Sequence, residues 1–422
     1  MSEKHQLGYN SDVHDYFSTQ SAKAVKRDVR GVDNDRTYEF SSRCREATIE
    51  AINMRSVSIV LAVLFHSVCV SAEPDDAHYA TATGTEPDYS APYAEYSAND
   101  PFGEFDIERA AQFVDGVAVK WGVKHDCVTC HTNGHYLMVP PKLFRHRPAA
   151  KDVLAFAEGW VDSWKEKGLP RTEIVVAPAA FLTINNMQMD GRLRPATRNA
   201  LDEVWRLQSE EGHWEDWLKC EWPPFEQDDH YGVTLLTIAM GMAPESYTSV
   251  ESAQTGIRRM LDYLQRYAPE EVHHRAMMLW AGKYFDGLVS AGEREHWIDE
   301  LLKLQKTSGG WASGDLGRWR QRAPETGGYS HLDPKLVERE YPLVMIDPNG
   351  DGYGTGFVLY VLLQAGVPVS HDQVQQGLAW LRQNQQADGK WFTNSLRNET
   401  DTSNFLTHTG TIFALMALAE TM

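Results

Sequence analysis

Cysteine is scarce in this chain, with five residues in 422. A disulfide framework cannot hold a fold of that size together, so apolar packing must supply most of its stability. Basic residues are outnumbered, 40 Lys and Arg against 59 Asp and Glu, for a formal net charge of −19. A surface of that sign repels phosphate backbones and argues against nucleic acid as a partner. Long apolar runs are missing too. The run from Val57 to Val70 contains Ser58, His66 and Ser67 and is shorter than the roughly 20 residues that a helix needs to cross a bilayer, so no stable membrane span is expected. An apolar share of 42% with 23% charge is nevertheless that of a globular chain.

The beginning of the sequence stands apart from the rest. Residues 1–53 are polar and mixed in charge without a sustained helical or strand period, and read as an N-terminal extension ahead of a second candidate start at Met54. Met54-Arg55 precedes the apolar run, and Val70-Ser71-Ala72 sets aliphatic and small residues at −3 and −1 of a cut before Glu73. This is the pattern of a secretory signal peptide over 54–72, which implies a periplasmic or secreted protein; the competing reading is a single-span anchor. Cleavage would leave Cys127, Cys130 and Cys220. Residues 73–102, rich in Ala, Tyr, Pro, Asp and Thr, read as a linker, and 103–422 as the folded domain.

That domain repeats itself. Gln208-x3-Gly212-x-Trp214, Gln305-x3-Gly309-x-Trp311 and Gln385-x3-Gly389-x-Trp391 share one pattern. Four and seven residues before each Gln stand Val204 and Leu201, Leu301 and Ile298, Leu381 and Leu378, the spacing of an apolar stripe on a helix that the glycine is expected to cap. A second, more apolar helix follows each stop, with a glycine in its opening turn: Tyr231-Gly232, Tyr353-Gly354 and Thr409-Gly410. Six outer and inner helix pairs can be placed: 106–122 with 135–145, 149–167 with 172–188, 195–209 with 229–242, 249–267 with 271–288, 292–306 with 353–365, and 371–386 with 406–420. They predict an all-α fold in which six hairpins close into a ring.

On these three repeats, together with Gly-Tyr-Gly-Thr-Gly at 352–356, the domain resembles the terpenoid cyclase and protein prenyltransferase superfamily. The resemblance implies an (α/α)6 toroid in which the repeat Gln and Trp residues are structural ties. It points to fold far more than to activity.

Cys127-Val-Thr-Cys130-His131 has the spacing of covalent c-type haem attachment, two thiols for the vinyl groups and an imidazole, His131, for the iron. Such attachment takes place outside the cytoplasm, in agreement with the signal pattern. Zinc is the alternative, with Cys220 or His135 as a fourth ligand, and a disulfide or plain thiols a third. Met138, His135, Met187 and Met189 are candidates for a sixth iron ligand.

Glu226-Gln-Asp228-Asp229-His230 looks like the acid motif of class II terpene cyclases, in which Asp228 would donate a proton and Glu226 and Asp229 would crowd it. Its place ahead of a helix opposes that assignment and favours capping and rim residues, because a helix N-terminus stabilises the carboxylate and lowers its pKa. Asp347-x-Asn349-x-Asp351-Gly352 copies half of a calcium loop but has Val358 where the bidentate Glu belongs, and so reads as a turn and cap. The long connection 312–350 is either a lid or a solvated insertion. His273-His274 and Met277-Met278 read as helix and core.

The expectation is therefore an exported toroid with one covalent haem c, acting in periplasmic redox or electron transfer with an unknown redox partner and a small apolar, lipid-like or terpenoid ligand. The rivals are a cyclase-like isomerase using Glu226, Asp228 and Asp229, and a non-enzymatic binding scaffold.

Overall fold

Apolar residues at helical spacing become helices throughout, and no named strand occurs among the described residues. The computed structural model describes residues 96–129, 131–170, 172–214, 223–225, 229–317, 319, 347–396 and 405–422. The extension, the signal pattern, the first part of the linker, Cys130, Cys220, Glu226, Asp228 and most of the 312–350 connection lie outside them.

The helices are of two kinds. Amphipathic ones carry a single buried stripe: α1 (Ile107–His125), α4 (Pro148–Asp162), α6 (Pro195–Leu207), α9 (Glu251–Arg266), α11 (Ala291–Lys303) and α13 (Asp372–Gln383). In α9 the stripe is Ala253, Gly256, Met260, Tyr263 and Leu264, spaced by three or four along one face. The others are buried nearly all round: α5 (Thr172–Asp190), α7 (Asp229–Met242), α10 (Val272–Ala281), α12 (Gly352–Gln364) and α14 (Phe405–Ala419). Three single turns complete the set: α2 (Asn133–Tyr136), α3 (Pro141–Phe144) and α8 (Glu245–Thr248).

Each buried helix packs on the next. Contacts join α2 to α5, α5 to α7, α7 to α10, α10 to α12, α12 to α14, and α14 back to α2. The amphipathic helices lie against them and against one another, α1 on α4, α4 on α6 and α6 on α9.

The Gln-x3-Gly-x-Trp repeats fix this arrangement with one set of bonds used three times. Gln208, Gln305 and Gln385 each donate Nε2 to the carbonyl of their own glycine, at 3.2, 2.8 and 2.9 Å. The same nitrogen reaches a backbone carbonyl of the next amphipathic element, Gly256, Gln373 and Asp106, at 3.0, 2.8 and 2.9 Å. The tryptophans Trp214, Trp311 and Trp391 donate Nε1 to Val204, Leu301 and Leu381, the residues four before each Gln, at 2.9, 2.7 and 2.8 Å. Because all three indoles are at most 1% exposed, their N–H groups would be costly without those carbonyls.

The glycines do not cap the helices as the sequence suggested. The helices end at Leu207, Lys303 and Gln383, and Gly212, Gly309 and Gly389 follow in a tight turn at φ 100°, 93° and 99°. A Cβ there would stand 2.1 Å from the Arg259 carbonyl oxygen at Gly212 and 2.5 Å from that of Arg109 at Gly389. Both conformation and close approach require glycine.

Two helix boundaries also differ from expectation. The first inner segment, expected as one helix over 135–145, is broken into α2 and α3 at Pro140-Pro141, where the extended Pro140 and the missing amides interrupt the ladder. The helix expected over 271–288 ends at Ala281. Residues 96–103, the described end of the expected linker and the first residue beyond it, are tied to the turn after α13. Gln386 Nε2 donates to Ser97 O at 2.8 Å, Ala387 N to Pro101 O at 2.8 Å and Gly103 N to Gln385 O at 2.9 Å. No described helix is long and apolar enough to cross a membrane.

Candidate functional site

The Cys-x-x-Cys-His loop leaves α1 through Asp126, a non-glycine residue in the left-handed region at φ 45°. Trp160 Nε1 holds its carbonyl at 2.8 Å and Lys167 its carboxylate at 2.7 Å. Asn133, at the start of α2, fastens the loop from inside: its Oδ1 accepts from Thr129 N and Oγ1 at 3.0 and 3.2 Å, and its Nδ2 donates to Cys127 O at 2.9 Å. Cys127 is half-buried, with its Sγ 3.6 Å from Val128 O.

His131 turns inward and is buried. Its ring stacks on Phe405 at 3.8 Å between centroids and meets the edge of Trp121 at 4.9 Å. Nδ1 lies 3.0 Å from Thr132 Oγ1, which also reaches His408 Nδ1 at 3.3 Å. The Thr409 hydroxyl donates to the His131 carbonyl. Burial, and after it the neighbouring His408, hold the imidazole well below its ordinary pKa. It is therefore neutral at pH 7, the form that binds iron or zinc, with one ring nitrogen already held by a second partner, as metal-ligating histidines usually are. The described part of the motif thus fits the donor chemistry of a haem ligand. Among the described residues no group of three or more His, Cys, Asp or Glu is placed to hold a metal ion, Cys130 and Cys220 lying outside that search.

From this loop a belt of buried imidazoles and phenols runs through the interior, supplied by the opening turns of the inner segments. His135 comes from α2, His230 and Tyr231 from α7, His273 and His274 from α10, Tyr353 from α12 and His408 from α14, and all are at most 4% exposed. Tyr231 Oη is 3.2 Å from His135 Nε2, and Tyr353 Oη is 2.8 Å from His273 Nε2. Phe225 packs against His135, Tyr231 and Tyr353 at 4.9, 5.4 and 5.7 Å, and His230 stacks on His274 at 5.2 Å. Desolvation lowers every imidazole for which a shift is resolved: His273 well below its ordinary value, His274 to about 4 and His408 to about 3. Burial raises Tyr353 well above the usual phenol range.

Of the expected acid motif, only Asp229 is described. It opens α7 and its Oδ2 lies 2.7 Å from His213 Nδ1, in the turn of the first repeat. This is an ion-pair position at a helix start. Asp351 is the N-cap of α12: its oxygens accept from Gly354 N at 2.8 Å, Ser313 N at 2.7 Å and Ser313 Oγ at 2.8 Å. Burial nonetheless pushes it up to about 6, against the pull of those donors. Its neighbour Asp347 accepts from Asn349 N at 2.8 Å, so the half calcium loop is a turn followed by a cap.

Of the candidate sixth ligands, His135 is engaged with Tyr231, Met138 is buried beyond α2, and Met187 and Met189 are half-buried near the end of α5. Sequence reasoning missed the phenol–imidazole pairs. Tyr231 and Tyr353 had been noted only for the glycine beside each, and His273 only as part of a helix. The available signal was that a His or Tyr stands in the first turn of each of these inner segments. The chain matches no protein-family model, and no curated protein matches it.

Proposed function

We propose that the domain is an α/α toroid and that it carries one covalent haem c on Cys127 and Cys130, with His131 as the protein ligand to iron, for one-electron transfer outside the cytoplasm. Two findings support the ring: the inner contacts return from α14 to α2, and Gln385 of the last repeat bonds Asp106 at the start of α1. The haem reading is carried by His131, a buried neutral imidazole directly after the Cys-x-x-Cys spacing, held through Nδ1 by Thr132.

Bound haem would supply reversible one-electron chemistry. The polypeptide orients the ligand ring through Thr132, Phe405 and Trp121 and keeps water from it by burying it. The signal pattern at 54–72 supports a periplasmic or secreted location. The aromatic interior, with Phe181, Phe225, Phe357 and Phe413 buried around the belt, supports a lipid-like or terpenoid ligand as the second participant. Asp229 in its pair with His213 acts as a rim residue, which sets the cyclase reading behind.

Co-production with haem-maturation machinery in an exporting host tests this. A red protein whose colour survives acid-acetone extraction is expected. A colourless protein containing one zinc per chain contradicts it.

A further inference from the structure

Tyr353 and His273 are both wholly buried, on α12 and α10, with Oη 2.8 Å from Nε2. Among the described residues His273 Nδ1 has no hydrogen-bond partner, and the Tyr353 hydroxyl has no acceptor other than Nε2. This decides where the protons sit. If Nε2 carried the imidazole proton, both the phenol O–H and the Nδ1 lone pair would be left unsatisfied. If Nδ1 carries it, the phenol donates to Nε2 and only the Nδ1–H goes without a partner. Each buried orphan costs about 1–3 kcal/mol, so the second arrangement wins. The phenol proton therefore points at a basic nitrogen in a dry interior.

We propose that Tyr353 is a redox-active tyrosine whose proton passes to His273 when it loses an electron. A one-electron outer-sphere oxidant, such as a high-potential metal complex, takes one electron from the phenol and is itself reduced by one unit. The Oη–H bond breaks, an Nε2–H bond forms, and the products are a neutral phenoxyl radical and an imidazolium. A one-electron reductant reverses both transfers. The low basicity that burial gives His273 does not prevent the step, because a phenol stripped of an electron is a far stronger acid than an imidazolium.

The surroundings suit a radical. The Tyr353 ring stacks on Phe357 at 5.5 Å with planes 8° apart and meets the edges of Phe413 and Phe225 at 5.7 Å. The second pair, Tyr231 with His135, lies across Phe225, and the Tyr231 ring is 6.0 Å from that of His273. Trp319, 5% exposed, stands with its ring 6.0 Å from the His273 ring, a further aromatic group beside the pair. The proposal does not rest on the haem: the pair belongs to the polypeptide and operates whether or not a porphyrin is attached.

The test is to oxidise the full chain with hexachloroiridate, freeze it and record its electron paramagnetic resonance spectrum. A phenoxyl signal is expected in the unsubstituted protein. It should be lost in Tyr353→Phe and in His273→Gln, and kept in Tyr267→Phe, which alters a tyrosine at the end of α9. Tyr353→Phe removes a single oxygen atom, and an unchanged circular dichroism spectrum confirms that it folds, so it decides the matter even if His273→Gln fails to fold. An undiminished signal in Tyr353→Phe, or no phenoxyl signal in the unsubstituted protein, overturns the proposal. A signal lost in Tyr353→Phe but intact in a folded His273→Gln overturns the role given to the imidazole.

Discussion

Gln385 grips the backbone of Asp106 on both sides of its Cα: its Oε1 accepts from the Asp106 amide at 2.6 Å, and its Nε2 donates to the Asp106 carbonyl at 2.9 Å. The two residues are 279 positions apart. Near one end of the domain, a carboxamide in the last repeat thus holds the residue that caps the first helix. Among the described residues the Gln of each of the other two repeats makes the donor half of that grip alone, to Gly256 or Gln373.

Gln385→Ala should therefore cost more stability than Gln305→Ala. Three hydrogen bonds are lost at Gln385 and two at Gln305, at roughly 0.5–1.5 kcal/mol each. Urea unfolding of both variants checks this. An equal or smaller loss at Gln385 would show that the contact between the ends contributes nothing to holding the domain.

Stability should fall on acidification. His274 and His408 have folded values of about 4 and 3, and His273 lies well below its ordinary value, all through burial. Depressed histidines stabilise fully above their unfolded value near 6.5, and that contribution is lost as pH falls through the window down to the folded values. Each titrating group contributes a slope of about 1.4 kcal/mol per pH unit inside its window. Asp351 works in the opposite direction. Its raised value, about 6, makes the protonated form favourable in the fold, so its share of stability is present at low pH and lost as pH rises from about 4 to 6. Three histidines outweigh one carboxyl. Chemical denaturation at pH 7 and pH 5 should give the lower stability at pH 5; a higher stability there would contradict the burial of the belt.

Asp351→Asn separates the two contributions. The carboxamide retains one acceptor oxygen, for Gly354 N or for Ser313 N, and turns an N–H group toward the other of these two backbone donors. A loss of about 1–3 kcal/mol is expected at pH 7. Between about pH 6 and pH 4 the difference from the unsubstituted protein should change, since the Asp contribution titrates and the Asn contribution does not. A difference independent of pH would place the Asp351 titration elsewhere.

The helices were legible because packing and periodicity agree: Val204, Leu301 and Leu381, picked out four residues before each Gln, are the residues whose carbonyls receive the repeat indoles. The turn glycines were found, but their role was misplaced, because a positive φ in a cap and one in a tight turn leave the same letter in the sequence. Pro140 and Pro141 gave a break that apolar periodicity concealed. The phenol–imidazole pairs were not legible. Tyr231 and His135 are 96 positions apart and Tyr353 and His273 80, and only the packing of the inner helices brings such partners together.

Covalent attachment at Cys127 and Cys130 is decided by intact mass spectrometry of the chain purified from an exporting, haem-maturing host. The mass of the processed polypeptide plus one haem is expected, unchanged by denaturation and reduction, and lost when Cys127→Ala and Cys130→Ala are made together. The bare polypeptide mass from the unsubstituted chain would contradict it.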